Sequence, residues 1–192
     1  MNAFFLRESS KGLEHVSAED RLLEKRKIVF SEEVTAQTAN ELIRYLLCLE
    51  EDDPKKEITL LINSPGGEVT SGLAAYDTLR GIRCPVRTVC IGTAASMGSI
   101  LFLAGDKREI LTHSKIMIHD PLIAGLSGRK RALELEKEAE QLMETREITG
   151  RIIAERSGMS LEEVYEKTKD DCFLTAEEAL ACGIATKIVE RP

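Results

Sequence analysis

The sequence predicts an α/β fold with mainly parallel strands, and three observations carry that expectation. Apolar runs of strand length alternate with segments of helical period along the chain. The strand-length runs, 58–63 among them, are nearly continuous in apolar residues, as strands are when a parallel sheet buries both faces. The chain has 192 residues, 43% of them hydrophobic. That suits one domain over 1–192, large enough to bury roughly 70% of its unfolded surface without a disulfide or metal staple.

The elements follow in order. Residues 1–20 form a charged head with little apolar periodicity, ordered by its neighbours. Residues 31–52 turn helical, with Leu42, Ile43, Leu46 and Leu47 on one stripe and Pro54 just past the end. A buried strand at 58–63 meets the turn Ser64-Pro65-Gly66-Gly67, and a helix follows over 69–80. Residues 86–91 are β-branched and read as a strand, and 94–104 as a small-residue helix. Short strands are expected at 109–111 and 115–119, the second ended by Asp120-Pro121, before a glycine-spaced stretch at 125–128. A charged helix over 129–156 would span ~40 Å at 1.5 Å per residue. One small domain does not need that length, so part of it is expected to pack on another subunit. Ser160 with Glu163 and Thr175 with Glu178 form capping boxes; Gly183 closes the second helix, and 184–189 is a last strand.

Composition excludes several function classes. The net charge is −7, from 33 acids and 26 bases, and the one dense basic run, Arg129-Lys130-Arg131, is followed at once by acids. It reads as a solvated helix start, and no nucleic acid is expected as a partner. The five cysteines, Cys48, Cys84, Cys90, Cys172 and Cys182, are odd in number and lack C-x-x-C spacing. They suggest small buried side chains of a reduced compartment. The apolar start of the chain is too short for a signal-peptide core. The uncharged stretch 88–105 is interrupted by Thr93, Ser96, Ser99 and glycines, so it reads as a buried strand and helix rather than a span. A soluble, cytoplasmic protein with no membrane association is expected. There is no G-x-G-x-x-G and no Gly-Lys, so neither a dinucleotide fingerprint nor a P-loop is present; with no H-E-x-x-H and only three histidines, a His-rich metal site is not expected.

The segment Gly92-Thr93-Ala94-Ala95-Ser96-Met97-Gly98 has the form of a nucleophile elbow: a strand runs in, a helix runs out, and small residues flank the serine. A serine there exposes its Oγ, and the next backbone N–H, that of Met97, can face a developing oxyanion. From this motif alone, a nucleophile and a close-packed capping turn stand level. A serine nucleophile needs a base. Of the histidines, His119 ends a strand, where α/β folds place functional groups, while His113 sits in a polar turn and His15 in the charged head. For the acid that orients the base, Asp120 is poorly placed, because neighbours on a strand point to opposite faces. Asp170 and Asp171 precede a short apolar segment and are better candidates. The tandem glycines at 66–67 leave backbone N–H groups open to a ligand.

Taken together these segments resemble the proteolytic subunit of the Clp protease, the ClpP family of serine peptidases. The resemblance rests on Arg21-Leu22-Leu23, Ile62-Asn63-Ser64-Pro65-Gly66-Gly67, Tyr76-Asp77-Thr78, Gly92 to Gly98, Met117-Ile118-His119 and Asp171 to Thr175, in the family's order. It implies Ser96 as nucleophile, His119 as general base, Asp171 as its orienting acid, and the N–H groups of Gly67 and Met97 as the oxyanion hole. It implies a crotonase-like α/β spiral with a protruding helical handle over about 122–157, and an axial-loop role for the head. Heptameric rings stacked in pairs would enclose a chamber in which polypeptides, delivered by an AAA+ unfoldase of the ClpX, ClpA or ClpC type, are cut. No cofactor is implied in this subunit.

Some positions depart from the family pattern. Asp170 stands where the family usually carries Arg. Thr59 and Leu61 replace aromatic side chains of the groove that receives unfoldase loops. The segment after Pro121 and residues 1–10 also differ. These departures suggest a divergent paralogue. A latent or regulatory ring subunit that needs an active ClpP paralogue is therefore carried as the alternative, and a crotonase-type acyl-CoA enzyme as a distant third.

Overall fold

The computed structural model describes residues 4–9, 12–122 and 131–192. The expected glycine-spaced stretch at 125–128 and the first two residues of the basic run lie outside the described residues.

A two-stranded hairpin, β1 (Phe4–Ser9) and β2 (Gly12–Ser17), leads into a short helix α1 (Ala18–Leu23). The strands pair only with each other, antiparallel. Alternation is weak here because no sheet covers either face: Leu6 and Leu13 are exposed. What holds the hairpin to the body is local: Arg7 pairs with Glu24, and the Arg21 guanidinium lies 4.5 Å over the Phe5 ring. The sequence predicts no strands in this head.

The main sheet has seven strands: β3 (Lys27–Phe30), β4 (Ile58–Ser64), β5 (Val86–Ala95), β6 (Lys107–Leu111), β7 (Lys115–Ile118), β8 (Cys172–Leu174) and β9 (Lys187–Val189). The order β3-β4-β5-β6-β9 is parallel throughout. β5 is long enough to pair β6 through Arg87–Cys90 and then β7 through Thr93–Ala95. The sheet therefore forks at β5, and β8 adds antiparallel to β7. The run of residues 58–62 is buried, which is why it shows no alternation.

Helices α2 (Ala36–Asp52) and α3 (Val69–Gly81) pack on this sheet. α2 starts at Thr35, whose hydroxyl accepts from the Thr38 N–H. Its buried stripe is Ala39, Leu42, Leu46 and Leu49, and Leu47 is 50% exposed. The expected stripe was thus centred one residue off. Arg26 has a left-handed φ of 57°. Its buried guanidinium donates to the carbonyls of Leu49, Asp53 and Lys56, covering the carboxyl end of α2. α4 (Met97–Leu103) is buried at every position, as expected of a helix apolar all round. Each fully buried Leu, Ile or Phe here contributes roughly 1.5–3 kcal/mol.

α5 (Ala132–Arg156) has 25 residues, and all its buried ones, Thr149, Gly150 and Ile153, fall in its last third. Leu133, Leu135, Met143 and Ile148 are exposed. Arg156 ties its end to the carbonyls of Leu103 and Gly105. α6 (Leu161–Thr168) and α7 (Ala176–Ala181) both start in capping boxes, at Ser160 and Thr175. Among the described residues no helix is long and apolar enough to cross a membrane.

Candidate active site

The forked sheet brings three strand ends to one edge. β5 finishes at Ala95, and the Ser96 N–H donates to the Met117 carbonyl at 2.9 Å, so Ser96 lies beside the end of β7. In the β7–β8 register Ile118 faces Cys172. The next residues outward on the two strands are His119 and Asp171, which antiparallel pairing places side by side. Residues distant in sequence thus meet because a parallel pair and an antiparallel pair share β7.

The geometry at this edge is specific. Ser96 Oγ lies 2.9 Å from His119 Nε2, and His119 Nδ1 lies 3.2 Å from Asp171 Oδ1. The His119 side chain is 15% exposed and that of Asp171 62%. Ser96 has φ 53° and ψ −123°, one of two non-glycine residues with positive φ among those described. Such a backbone costs about 1–3 kcal/mol and persists only where its surroundings fix it. Here they do. A Cβ added to Gly66, at φ 92°, would lie 2.5 Å from the Ala95 carbonyl oxygen, 2.7 Å from Ser96 Cβ and 2.9 Å from the Met97 nitrogen. Only glycine lets the 64–67 turn come this close to the serine. The boundary between β5 and α4 falls at Ser96 itself. Thr93, Ala94 and Ala95 belong to the strand, where the sequence predicts helix from 94.

Gly67 is exposed, at φ 147°. Val34 bridges to the segment around it, with the Val34 N–H donating to Gly66 O and Glu68 N–H to Val34 O. That pattern uses the groups on either side and leaves the Gly67 N–H without a backbone acceptor among the described residues. The Met97 N–H, at the first position of α4, also has none.

Beside Ser96 is a pocket lined by Val69, Ile100, Ile118, Thr149 and Ile153. The sequence reading did not find it. Its lining comes from four elements and has no motif, and only the helical spacing of Thr149 and Ile153 hints that they share a face.

Asp120 faces away from His119. Its carboxylate accepts from Arg146 Nε at 2.6 Å and from Thr168 Oγ1 at 2.6 Å. Asp170 is exposed. The cysteines are all free: Cys84 and Cys90 are buried, Cys172 and Cys182 half-buried, and Cys48 exposed. Burial pushes the Cys90 and Cys172 thiols up from their ordinary value, away from the reactive thiolate. No group of three or more His, Cys, Asp or Glu side chains that could hold a metal ion occurs among the described residues.

The arrangement can carry acyl transfer. A hydroxyl touches an imidazole, and the imidazole touches a carboxylate. Compared with models of known families, the chain matches the Clp protease model over residues 10–192.

Proposed function

The chain belongs to the Clp protease family, and from that premise we propose that it is an active serine endopeptidase cutting unfolded polypeptides inside a ring-shaped assembly. The observation that carries the reading is the unbroken contact from Ser96 Oγ through His119 to Asp171, at 2.9 and 3.2 Å.

In this reading neutral His119 holds its proton on Nδ1, facing Asp171, and accepts the Ser96 proton at Nε2. Ser96 Oγ attacks the scissile carbonyl. The N–H groups of Gly67 and Met97 receive the oxyanion. His119 then delivers its proton to the leaving amine, and the same steps with water release the acyl group. No cofactor enters the scheme.

The assembly is part of the proposal. Exposed Leu133, Leu135, Met143 and Ile148 on α5 support a handle, within about 122–157, that packs between subunits, with heptameric rings stacked in pairs. The exposed Leu6 and Leu13 support the head as a loop at the axial opening, where an AAA+ unfoldase would deliver substrate. Free cysteines suit the reducing cytoplasm.

A second reading has one observation in its favour. Asp171 is mostly exposed and follows another acid, Asp170, so its hold on His119 is the weakest contact of the site. A subunit whose His119 drifts free would be latent until a paralogue aligned it. Intact-mass labelling with a serine-directed phosphonate decides between them. One adduct on the purified wild type and none on Ser96→Ala supports the active enzyme. No adduct until a paralogue is added supports the latent subunit, and turnover unchanged in Ser96→Ala removes both.

A further inference from the structure

We propose that Asp120 is a positioning residue that sets the His119–Asp171 separation, acting through Thr168 and Arg146; the inference rests on the serine-peptidase reading above. Asp120 follows His119 directly, and Thr168 precedes Asp171 by one short connection at the end of α6. The two are tied twice. The Asp120 N–H donates to the Thr168 carbonyl at 2.7 Å, and the Thr168 hydroxyl donates to Asp120 Oδ1 at 2.6 Å. The other carboxylate oxygen accepts from Arg146 Nε at 2.6 Å, and the Arg146 guanidinium lies 3.8 Å over the Tyr165 ring. Arg146 is on α5 and Tyr165 on α6, so the clamp joins both helices to the segment that carries the base.

The clamp sits where support is otherwise least. On one side of the His119–Asp171 pair, the β7–β8 ladder ends at Ile118 and Cys172. On the other side Asp171 faces solvent. Asp120 closes that open end. Thr168 is 3% exposed, and the Asp120 and Arg146 side chains are largely covered. Charge-assisted bonds in such surroundings are short and directional, so they fix geometry as well as add stability. Releasing Asp120 frees the residue after the base and the turn before the acid together. Binding of substrate does not depend on that separation, but proton transfer does, so kcat falls and KM does not.

The test uses the full chain in its assembled form, with a fluorogenic peptide and the phosphonate as probes. Asp120→Ala and Thr168→Val lower kcat and the rate of Ser96 labelling about 10–100-fold with KM within about twofold, the cost of a small misplacement of a reacting group. Thr168→Ser, which keeps the hydroxyl, recovers most of the rate. Should Asp120→Ala fail to fold, Asp120→Asn keeps the acceptor for Thr168 while weakening the Arg146 pair, and falls between the two. Arg151→Ala breaks an exposed pair with Glu147 on the same helix and leaves kcat unchanged. The inference is overturned if Asp120→Ala, or Asp120→Asn where only that variant folds, keeps the wild-type kcat. It is also overturned if Thr168→Ser is as slow as Thr168→Val, or if Arg151→Ala is as slow as either. A wild type that neither labels nor turns over ends the peptidase reading instead. The clamp is then read from a crystal structure of the same Asp120 variant: a His119–Asp171 pair beyond hydrogen-bond reach supports it, and a pair unmoved at 3.2 Å overturns it.

Discussion

The two ends of the Ser96–His119–Asp171 chain are built differently. Ser96 is held by the centre of the molecule: β5 before it, the buried helix α4 after it, and Gly66 pressed against its Cβ. Asp171 is held by a three-residue strand and two capped helices at the rim. The nucleophile's strained backbone cannot relax without disturbing the core. The acid is mostly exposed, and the bonds that place it lie in its neighbours rather than in the core. In the proposed peptidase, reactivity would thus be set in the core and its alignment at the rim.

The largest expected effect tests the core end. Ser96→Ala lowers turnover of a fluorogenic peptide by about 10⁴-fold or more, with melting temperature nearly unchanged. Asp171→Ala lowers it less, about 10²–10⁴-fold, because a free imidazole still accepts the proton some of the time. Equal losses from the two variants would erase the contrast between the ends. Gly66→Ala tests the packing itself. Its Cβ meets backbone at 2.5 Å with φ at 92°, so a stability loss of about 2–4 kcal/mol in urea titration is expected, with activity lost as well. At the rim, Thr175→Ala removes the hydroxyl that caps α7 and costs about 1 kcal/mol.

The smallest effect is the most local. Glu163 and Glu178 reach back to the N–H groups of Ser160 and Thr175, and these backbone bonds first, then the serine and threonine side chains, hold both carboxyls below the ordinary glutamate value of 4.5. A lowered folded pKa stabilises above the unfolded value and is lost as pH falls through the folded one. As pH falls from about 5 to about 3, the protection factors of amides in α6 and α7 (exchange rates corrected for the intrinsic pH dependence) should therefore drop before those in β5 do. Simultaneous loosening of both regions would show that the rim has no separate stability.

Much of this contrast is legible in the sequence, and the rest is not for physical reasons. β4 announces itself because burial on both faces requires a continuous apolar run, α3 by a helical stripe through Ala75, Tyr76 and Leu79, and β7 by the alternation that buries Ile116 and Ile118. β5 is legible only as far as Ile91. Its next residues, Gly92-Thr93-Ala94-Ala95, are small enough for either strand or helix, and pairing with β7 decides. β8 exists only through its pairing with β7, which no pattern within Cys172-Phe173-Leu174 reveals. The hairpin at the head pairs with itself alone and buries little, so it leaves no alternation to read. Ser96, His119 and Asp171 are visible as residue types at strand ends, but their distances depend on the fork of the sheet at β5. Asp120 was dismissed as a partner for His119 by the alternation of strand neighbours. β7 ends at Ile118, before either residue, and the Asp120 carboxylate turns to Arg146 and Thr168, which are far away in sequence.

The sheet's fork also sets a timetable. During synthesis Ser96 and His119 leave the ribosome well before Asp171, by ~50 residues, or roughly 3–10 s at 5–20 residues per second. Through that interval β7 has no β8 beside it, and His119 has no carboxylate to orient it. If the chain is the proposed peptidase, its serine and base would be made before the acid that orients the base, and cleavage of neighbouring nascent chains would be held back until β8 docks. In that reading the order of the strands would delay the competence of the centre until nearly all of these residues have been made.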